Sequence, residues 1–154
     1  MIVTRKELID ICETLRSDDK EIVFTNGCFD IVHAGHVIYL HDAKSYGDVL
    51  VVGLNSDDSV RRLKGEKRPL NAENDRAVVL DSLKPVDYVC IFDEDTPFEL
   101  ISAIKPDVLV KGGDYTRNTI VGADIVEQNG GKVIVVPLLE GRSTTSIIER
   151  MKTL

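Results

Sequence analysis

Five short runs of mostly β-branched and aromatic residues, each parted from the next by a segment with helical punctuation, limit what this chain can fold into. The runs are Ile22–Thr25, Val49–Leu54, Tyr88–Phe92, Val108–Val110 and Val133–Val136. They are nearly continuous in apolar character rather than alternating, as strands covered on both faces of a parallel sheet are. Between them the helix signals recur. Thr4 and Glu7 form a capping box ahead of Leu8, Ile11, Cys12 and Leu15, which share one helical face. Thr96, Pro97 and Glu99 supply an N-cap, a first-turn proline and a capping partner before Leu100, Ile101 and Ile104. Further helices are expected over Ala72–Leu83, over Val121–Gln128 with a left-handed exit at Asn129–Gly131, and over Thr144–Met151. Strand–helix alternation of this kind implies right-handed crossovers and an α/β fold: a doubly wound, five-stranded parallel sheet with helices on both faces.

The 154 residues suit one domain, with 43% hydrophobic and 29% charged residues as in a soluble globular chain. Nineteen basic against 26 acidic residues give a net charge of −7, which argues against a nucleic-acid binder held by bulk charge. Cys12, Cys28 and Cys90 have no CxxC spacing and cannot all pair, so neither a zinc knuckle nor a disulfide framework is indicated. No apolar run approaches the about 18 residues of a membrane span, and no basic-then-apolar leader is seen. A cytoplasmic chain with no membrane partner is expected.

Chemistry concentrates in NGCFDIVHAGH, residues 26–36, directly after the first predicted strand. A helix begins there, and a helix start offers unpaired N–H groups and the positive end of its dipole to an anion. His33 and His36 are spaced to face such an anion together, and Gly35 keeps bulk away from the phosphates. In isolation an HxxH pair reads as one core and one surface histidine; a zinc pair lacks a third ligand at a suggestive spacing. A second hydroxyl-rich helix start, Ser143–Thr144–Thr145–Ser146, can likewise hold phosphate oxygens or be an ordinary N-cap.

Together these two segments resemble the HxGH and ISTT-like signatures of the nucleotidyltransferase superfamily, which has a Rossmann-like fold. SVRRLKGEKRPLN (59–71), EDTPFELI (94–101), PDVLVKGGDY (106–115), GAD (122–124) and EGRSTTSIIER (140–150) narrow the likeness. They are similar to the adenylyltransferases of ADP-heptose synthesis, which act on D-glycero-β-D-manno-heptose 1-phosphate and in many bacteria form half of a bifunctional kinase–adenylyltransferase. The likeness runs over nearly all of residues 1–152. It implies that His33, His36 and Lys64 act on the phosphates, and that Thr25, Asn26, Gly27, Phe29 and Gly35 shape the nucleotide loop. It implies also that Lys111, Gly112 and Asp114 lie beside the ribose and base, with Ser143, Thr144 and Thr145 on phosphate oxygens. On the acceptor side stand Asn55, Arg142, and Asp30, placed on sugar hydroxyls in preference to an Asx-type loop role, while Arg61 goes to the ATP phosphates or to the sugar phosphate. Arg76 either reaches the triphosphate or pairs with Glu73. One departure is visible: the arginine that precedes the hydroxyl motif in related cytidylyltransferases has no counterpart at Leu138 or Leu139, leaving Arg142 beside the motif.

Charge placement supports an anionic substrate independently of the likeness. Five of the 19 basic residues fall within Arg61–Arg68, with one acid, Glu66; a triphosphate meeting a sugar phosphate needs such local compensation, although a solvated charged loop would look alike. The expected reaction joins ATP and heptose 1-phosphate, releases pyrophosphate, uses Mg²⁺ carried mainly by the phosphates, and needs no general base or protein-bound intermediate. A homodimer is implied by the resemblance alone. The rivals are a CTP-dependent enzyme acting on glycerol 3-phosphate and a non-catalytic nucleotide sensor. A plain dinucleotide module is disfavoured, since no GxGxxG follows a predicted strand.

Overall fold

The computed structural model describes residues 1–113 and 115–154. Its strands are β1 (Ile22–Gly27), β2 (Val49–Asn55), β3 (Tyr88–Phe92), β4 (Val108–Gly112) and β5 (Lys132–Val136). All five pair in parallel in the order β3-β2-β1-β4-β5. The helices are α1 (Arg5–Ser17), α2 (Ala34–Lys44), α3 (Asp57–Lys64), α4 (Glu73–Asp81), α5 (Phe98–Ile104), α6 (Ala123–Gln128) and α7 (Thr144–Met151). The doubly wound α/β architecture expected from the apolar runs is therefore present.

Two separate apolar layers explain why those runs are continuous. Along β1, Ile22 and Phe24 enter the layer made with α1, α5 and α6, where Leu8, Cys12, Ile101 and Val126 are buried. Val23 turns to the opposite layer, with Leu40, Ala43, Ala77 and Leu80 of α2 and α4. Successive strand side chains point to opposite faces; with both faces covered, each position must be apolar.

Side-chain caps open α1, α2, α3 and α7, but not α4, α5 or α6. The Thr4–Glu7 capping box is formed in both directions, and α7 starts and stops at the residues expected. At α5, however, the helix begins at Phe98 after Pro97, and neither Thr96 nor Glu99 makes a capping bond; Thr96 instead lines a cavity at the sheet's edge. Helix α6 starts two residues later than its periodicity suggests, because Gly122 takes a left-handed φ of 85° to turn into it. Helix α4 is shorter than the expected span at both ends.

Chain order reverses at β1, whose neighbours β2 and β4 leave on opposite sides. A crevice opens beyond the carboxyl ends of parallel strands at such a switch point. The segments after β1, β2, β4 and β5 all lead into it. No helix among the described residues is long and apolar enough to cross a membrane.

Candidate active site

The segment after β1 folds back on itself before α2 begins. Phe29 adopts φ 44°, unusual for a bulky residue, and its ring lies over Gly27, where a Cβ would stand 2.9 Å from it. The same ring tilts against His36, with centroids 5.3 Å apart. The conformation thus packs an aromatic wall beside the start of α2.

His33 is the N-cap of α2, and its Nδ1 accepts the backbone N–H of Gly35 at 3.1 Å. His36, one turn in, accepts the backbone N–H of His33 through its own Nδ1 at 3.4 Å. Two imidazoles therefore form the reciprocal capping box usually made by a hydroxyl and a carboxylate. An accepting Nδ1 carries no proton, so each neutral ring bears its hydrogen on Nε2. The rings stack at 4.0 Å between centroids, and His33 Nε2 is buried without a hydrogen-bond partner among the described residues. Gly35 is required for a reason beyond room for phosphates: a Cβ there would lie 2.9 Å from His33 Cε1.

Burial lowers the pKa of both rings. The Arg142 charge lowers His33 further; His33 and Lys64 add to the effect of burial on His36, taking it down to about 4. At neutral pH both are uncharged donors.

A cavity of about 530 Å³ opens in front of them, within the range of small-molecule sites. His33, Gly35, His36, Asn26, Gly27 and Phe29 line it from the centre, and Lys64, Asn55 and Asp30 line it from the β2 side. Lys111 and Gly112 enter from the end of β4, and Arg142, Ser143, Thr144 and Thr145 from the start of α7. Ser143 caps α7 by accepting the Ser146 N–H, and Thr144 donates to the carbonyl of Ile31, tying the second helix start to the first loop. Lys111 Nζ donates to Asn26 Oδ1 at 3.0 Å and lies 5.5 Å from the centroid of the Tyr115 ring; burial lowers its pKa.

Four expected contacts are corrected by the geometry. Thr25 is wholly buried and shares a 2.7 Å hydrogen bond with the Tyr39 hydroxyl, which itself donates to the Val110 carbonyl. Arg61 faces outward and pairs with Asp58 at 2.6 Å. Arg76 neither reaches the cavity nor pairs with Glu73: its side chain is 0% exposed and is spent on protein oxygens. Its Nε donates to Asn71 O, Nη1 to Cys28 O and Asn55 O, and Nη2 to Asp57 Oδ1, at 2.7 to 3.0 Å. Asp30, meant for sugar hydroxyls, accepts the backbone N–H groups of Leu70 and Asn71 and the Nε of Arg68. Burial alone would raise its pKa; those donors more than offset it and hold the carboxyl below its usual value.

Asn55 does line the cavity, with its Nδ2 donating to Ser59 Oγ. Asp114 lies outside the described residues. Among the cavity residues that the sequence reading does not assign to the site are Arg68 and Tyr39. Arg68 belongs to the basic run but has no distinguishing spacing, and Tyr39 reads as an ordinary apolar position of α2.

Residues 24–150 match the family model described as cytidylyltransferase-like. The chain belongs to that family. Among curated proteins, it is 58% identical over 147 residues to the bifunctional protein HldE of Syntrophotalea carbinolica, covering 96% of this chain and 30% of the relative. The HldE of Geobacter metallireducens is 62% identical over 144 residues, covering 94% and 29%. This cytidylyltransferase-like chain thus spans about 30% of the length of those relatives. A solved lipopolysaccharide core biosynthesis protein from Thermoplasma volcanium is 30% identical, with a TM-score of 0.62, covering 80% of this chain and 99% of that one. The pantoate-β-alanine ligase of Francisella tularensis shares the fold at 18% identity and a TM-score of 0.64, covering 99% and 77%.

Two expectations follow for this site. Arg76→Ala removes a fully desolvated cation and takes its donors from three carbonyls and Asp57. It should cost about 3 kcal/mol or more in urea unfolding; a loss below about 1 kcal/mol would contradict this structural role. For His36, the folded pKa of about 4 lies below the ordinary 6.5. Its contribution to stability is complete above pH 6.5 and is lost as pH falls toward 4, since the unfolded chain takes up the proton first. The His36 ring signal in NMR should not titrate above pH 5 in the free protein; a midpoint near 6.5 would contradict its burial.

Proposed function

We propose that this chain transfers AMP from ATP to D-glycero-β-D-manno-heptose 1-phosphate, giving ADP-heptose and pyrophosphate. The observation that carries the reading is the pair of Nε2 donors set by the α2 capping box, sharing one cavity with Lys64 and the hydroxyl-rich start of α7. The heptose acceptor rests on the similarity to HldE along nearly the whole chain.

A phosphate monoester has its second pKa near 6 and is largely a dianion at neutral pH. An oxygen of the sugar phosphate attacks the α-phosphorus; the new P–O bond forms as the bond to the β-phosphate's bridging oxygen breaks, and pyrophosphate leaves with that electron pair. No base is required. The barrier comes from bringing two anions together and from charge shifting onto the transferring and leaving oxygens. His33 and His36 donate to those oxygens from a half-buried wall, where a preorganised donor acts with little reorganisation. Lys64 adds a full positive charge, and the N–H groups opening α2 and α7 add dipole.

Mg²⁺ fits this site through the substrate. Among the described residues no three His, Cys, Asp or Glu side chains come together to hold a metal. The described carboxylates lining the cavity, Asp30 and Asp95, are paired with Arg68 and Arg62. The ion would be held by phosphate oxygens and would screen their mutual repulsion.

His33→Ala and His36→Ala should each lower kcat about 10²-fold, roughly 2.7 kcal/mol, while the KM for ATP changes little. Pyrophosphate release measured with ATP or CTP against heptose 1-phosphate or glycerol 3-phosphate checks both the chemistry and the pairing. Near-normal turnover in either variant, or a preference for CTP with glycerol 3-phosphate, would overturn the reading.

A further inference from the structure

Among the described residues, two buried side-chain nitrogens have no hydrogen-bond partner: His33 Nε2 and Arg68 Nη2. Both residues line the same cavity. A buried N–H left without an acceptor is costly, so an orphan on a residue that lines a cavity points to a ligand that completes it. The first orphan is accounted for by the phosphates; the second is not.

Arg68 is held in place more firmly than a loop arginine needs to be. Its Nε donates to Asp30 Oδ2 at 2.8 Å, and the Asp30 side chain is only 1% exposed. Asp30 is fixed in turn by the backbone N–H groups of Leu70 and Asn71, and its own carbonyl accepts Asn71 Nδ2 at 2.7 Å. Arg76 anchors the next link by donating to Asn71 O and Cys28 O. The guanidinium is therefore tied to a carboxylate through Nε, while Nη2 has no partner among the described residues.

The topology puts Arg68 on one side of the histidines. It follows α3, on the crossover that leaves β2, whereas Lys111 and Gly112 end β4, on the other side of β1. The reading under Proposed function puts the polyphosphate before the histidines, and the resemblance puts the nucleoside beside Lys111 and Gly112, which leaves the β2 side to the acceptor. The Asp30 carboxylate already balances the Arg68 charge. The free Nη2 is a directional donor within a neutral pair, a better match for a hydroxyl oxygen than for a phosphate.

We infer that Arg68 Nη2 donates to a ring or side-chain hydroxyl of the phosphorylated sugar, and that Asp30 is the positioning residue that aims it. This rests on the reading under Proposed function and moves the sugar contact from Asp30 to the arginine that Asp30 holds.

Arg68→Lys is the variant of choice, since an ammonium keeps the ion pair with Asp30 but loses the second edge of the fork. With thermal unfolding as a control for folding, it should raise the KM for heptose 1-phosphate about tenfold or more. The KM for ATP and inhibition by inorganic phosphate should each stay within about twofold. A rise in the KM for ATP, an unchanged acceptor KM, or equally weakened inhibition by inorganic phosphate would each overturn the assignment. Side-chain NMR of the wild-type protein needs no variant: the Arg68 guanidinium signals should shift on adding heptose 1-phosphate and stay put with inorganic phosphate, and the reverse contradicts the inference. Turnover of a different phosphorylated acceptor with the same KM split would sink only the heptose reading. A normal wild-type reaction without the split would sink only Arg68, and a wild type that takes no phosphorylated acceptor sinks both.

Discussion

The imidazole of His33 capping α2 is the contact on which the site depends. A helix start needs an acceptor for its free N–H groups, and a serine, asparagine or aspartate would serve at about 1 kcal/mol of benefit. An aspartate would also set a negative charge where the proposed polyphosphate would lie. A neutral imidazole resolves that conflict, because Nδ1 accepts from Gly35 while Nε2 stays a donor on the opposite edge of the ring. His36 repeats the arrangement one turn later, and the stacking of the two rings couples their burial. The cap thus sets the tautomer, and the tautomer sets the chemistry. Its cost is an unpaired nitrogen at His33, the kind of local violation that functional sites retain.

Around that core the protein spends charge on shape. The chain carries a net −7, yet Lys64, Arg68, Lys111 and Arg142 all line the cavity, against the described carboxylates Asp30 and Asp95. Two further ionic contacts hold the walls. Asp30 grips the 68–71 segment, and Arg76 joins the loops after β1 and β2 to that segment through their carbonyls. Both are desolvated groups that are costly to bury and costlier to break. They tie together the β2 side of the crevice.

Much of this was legible in residue order. A strand covered on both faces has to be apolar at every position, so Ile22, Val23 and Phe24 announce a doubly covered sheet before any contact is known. The HAGH and STTS segments announce two helix starts because hydroxyl and imidazole groups there have a local purpose as caps. What residue order does not disclose is the partner of a long side chain. Arg61, Arg68 and Arg76 look alike in sequence; one pairs with Asp58 on the surface, one faces the cavity, and one is walled in by carbonyls that lie 5 to 48 residues away. Asp30 was placed on the sugar because it sits among site residues, but its partners come from 38 to 41 residues further along. Thr25 belongs to the loop that the resemblance gives to the nucleotide, yet strand alternation turns it inward. Local signals were readable; long-range pairing was not.

The most direct test of the neutral-donor cap is the protonation pattern of the two rings. Long-range proton–nitrogen NMR of ¹⁵N-histidine protein at neutral pH, without ligand, should find His33 and His36 both uncharged, with Nε2 protonated and Nδ1 bare. A proton on Nδ1 of either ring, or an imidazolium at that pH, would contradict it.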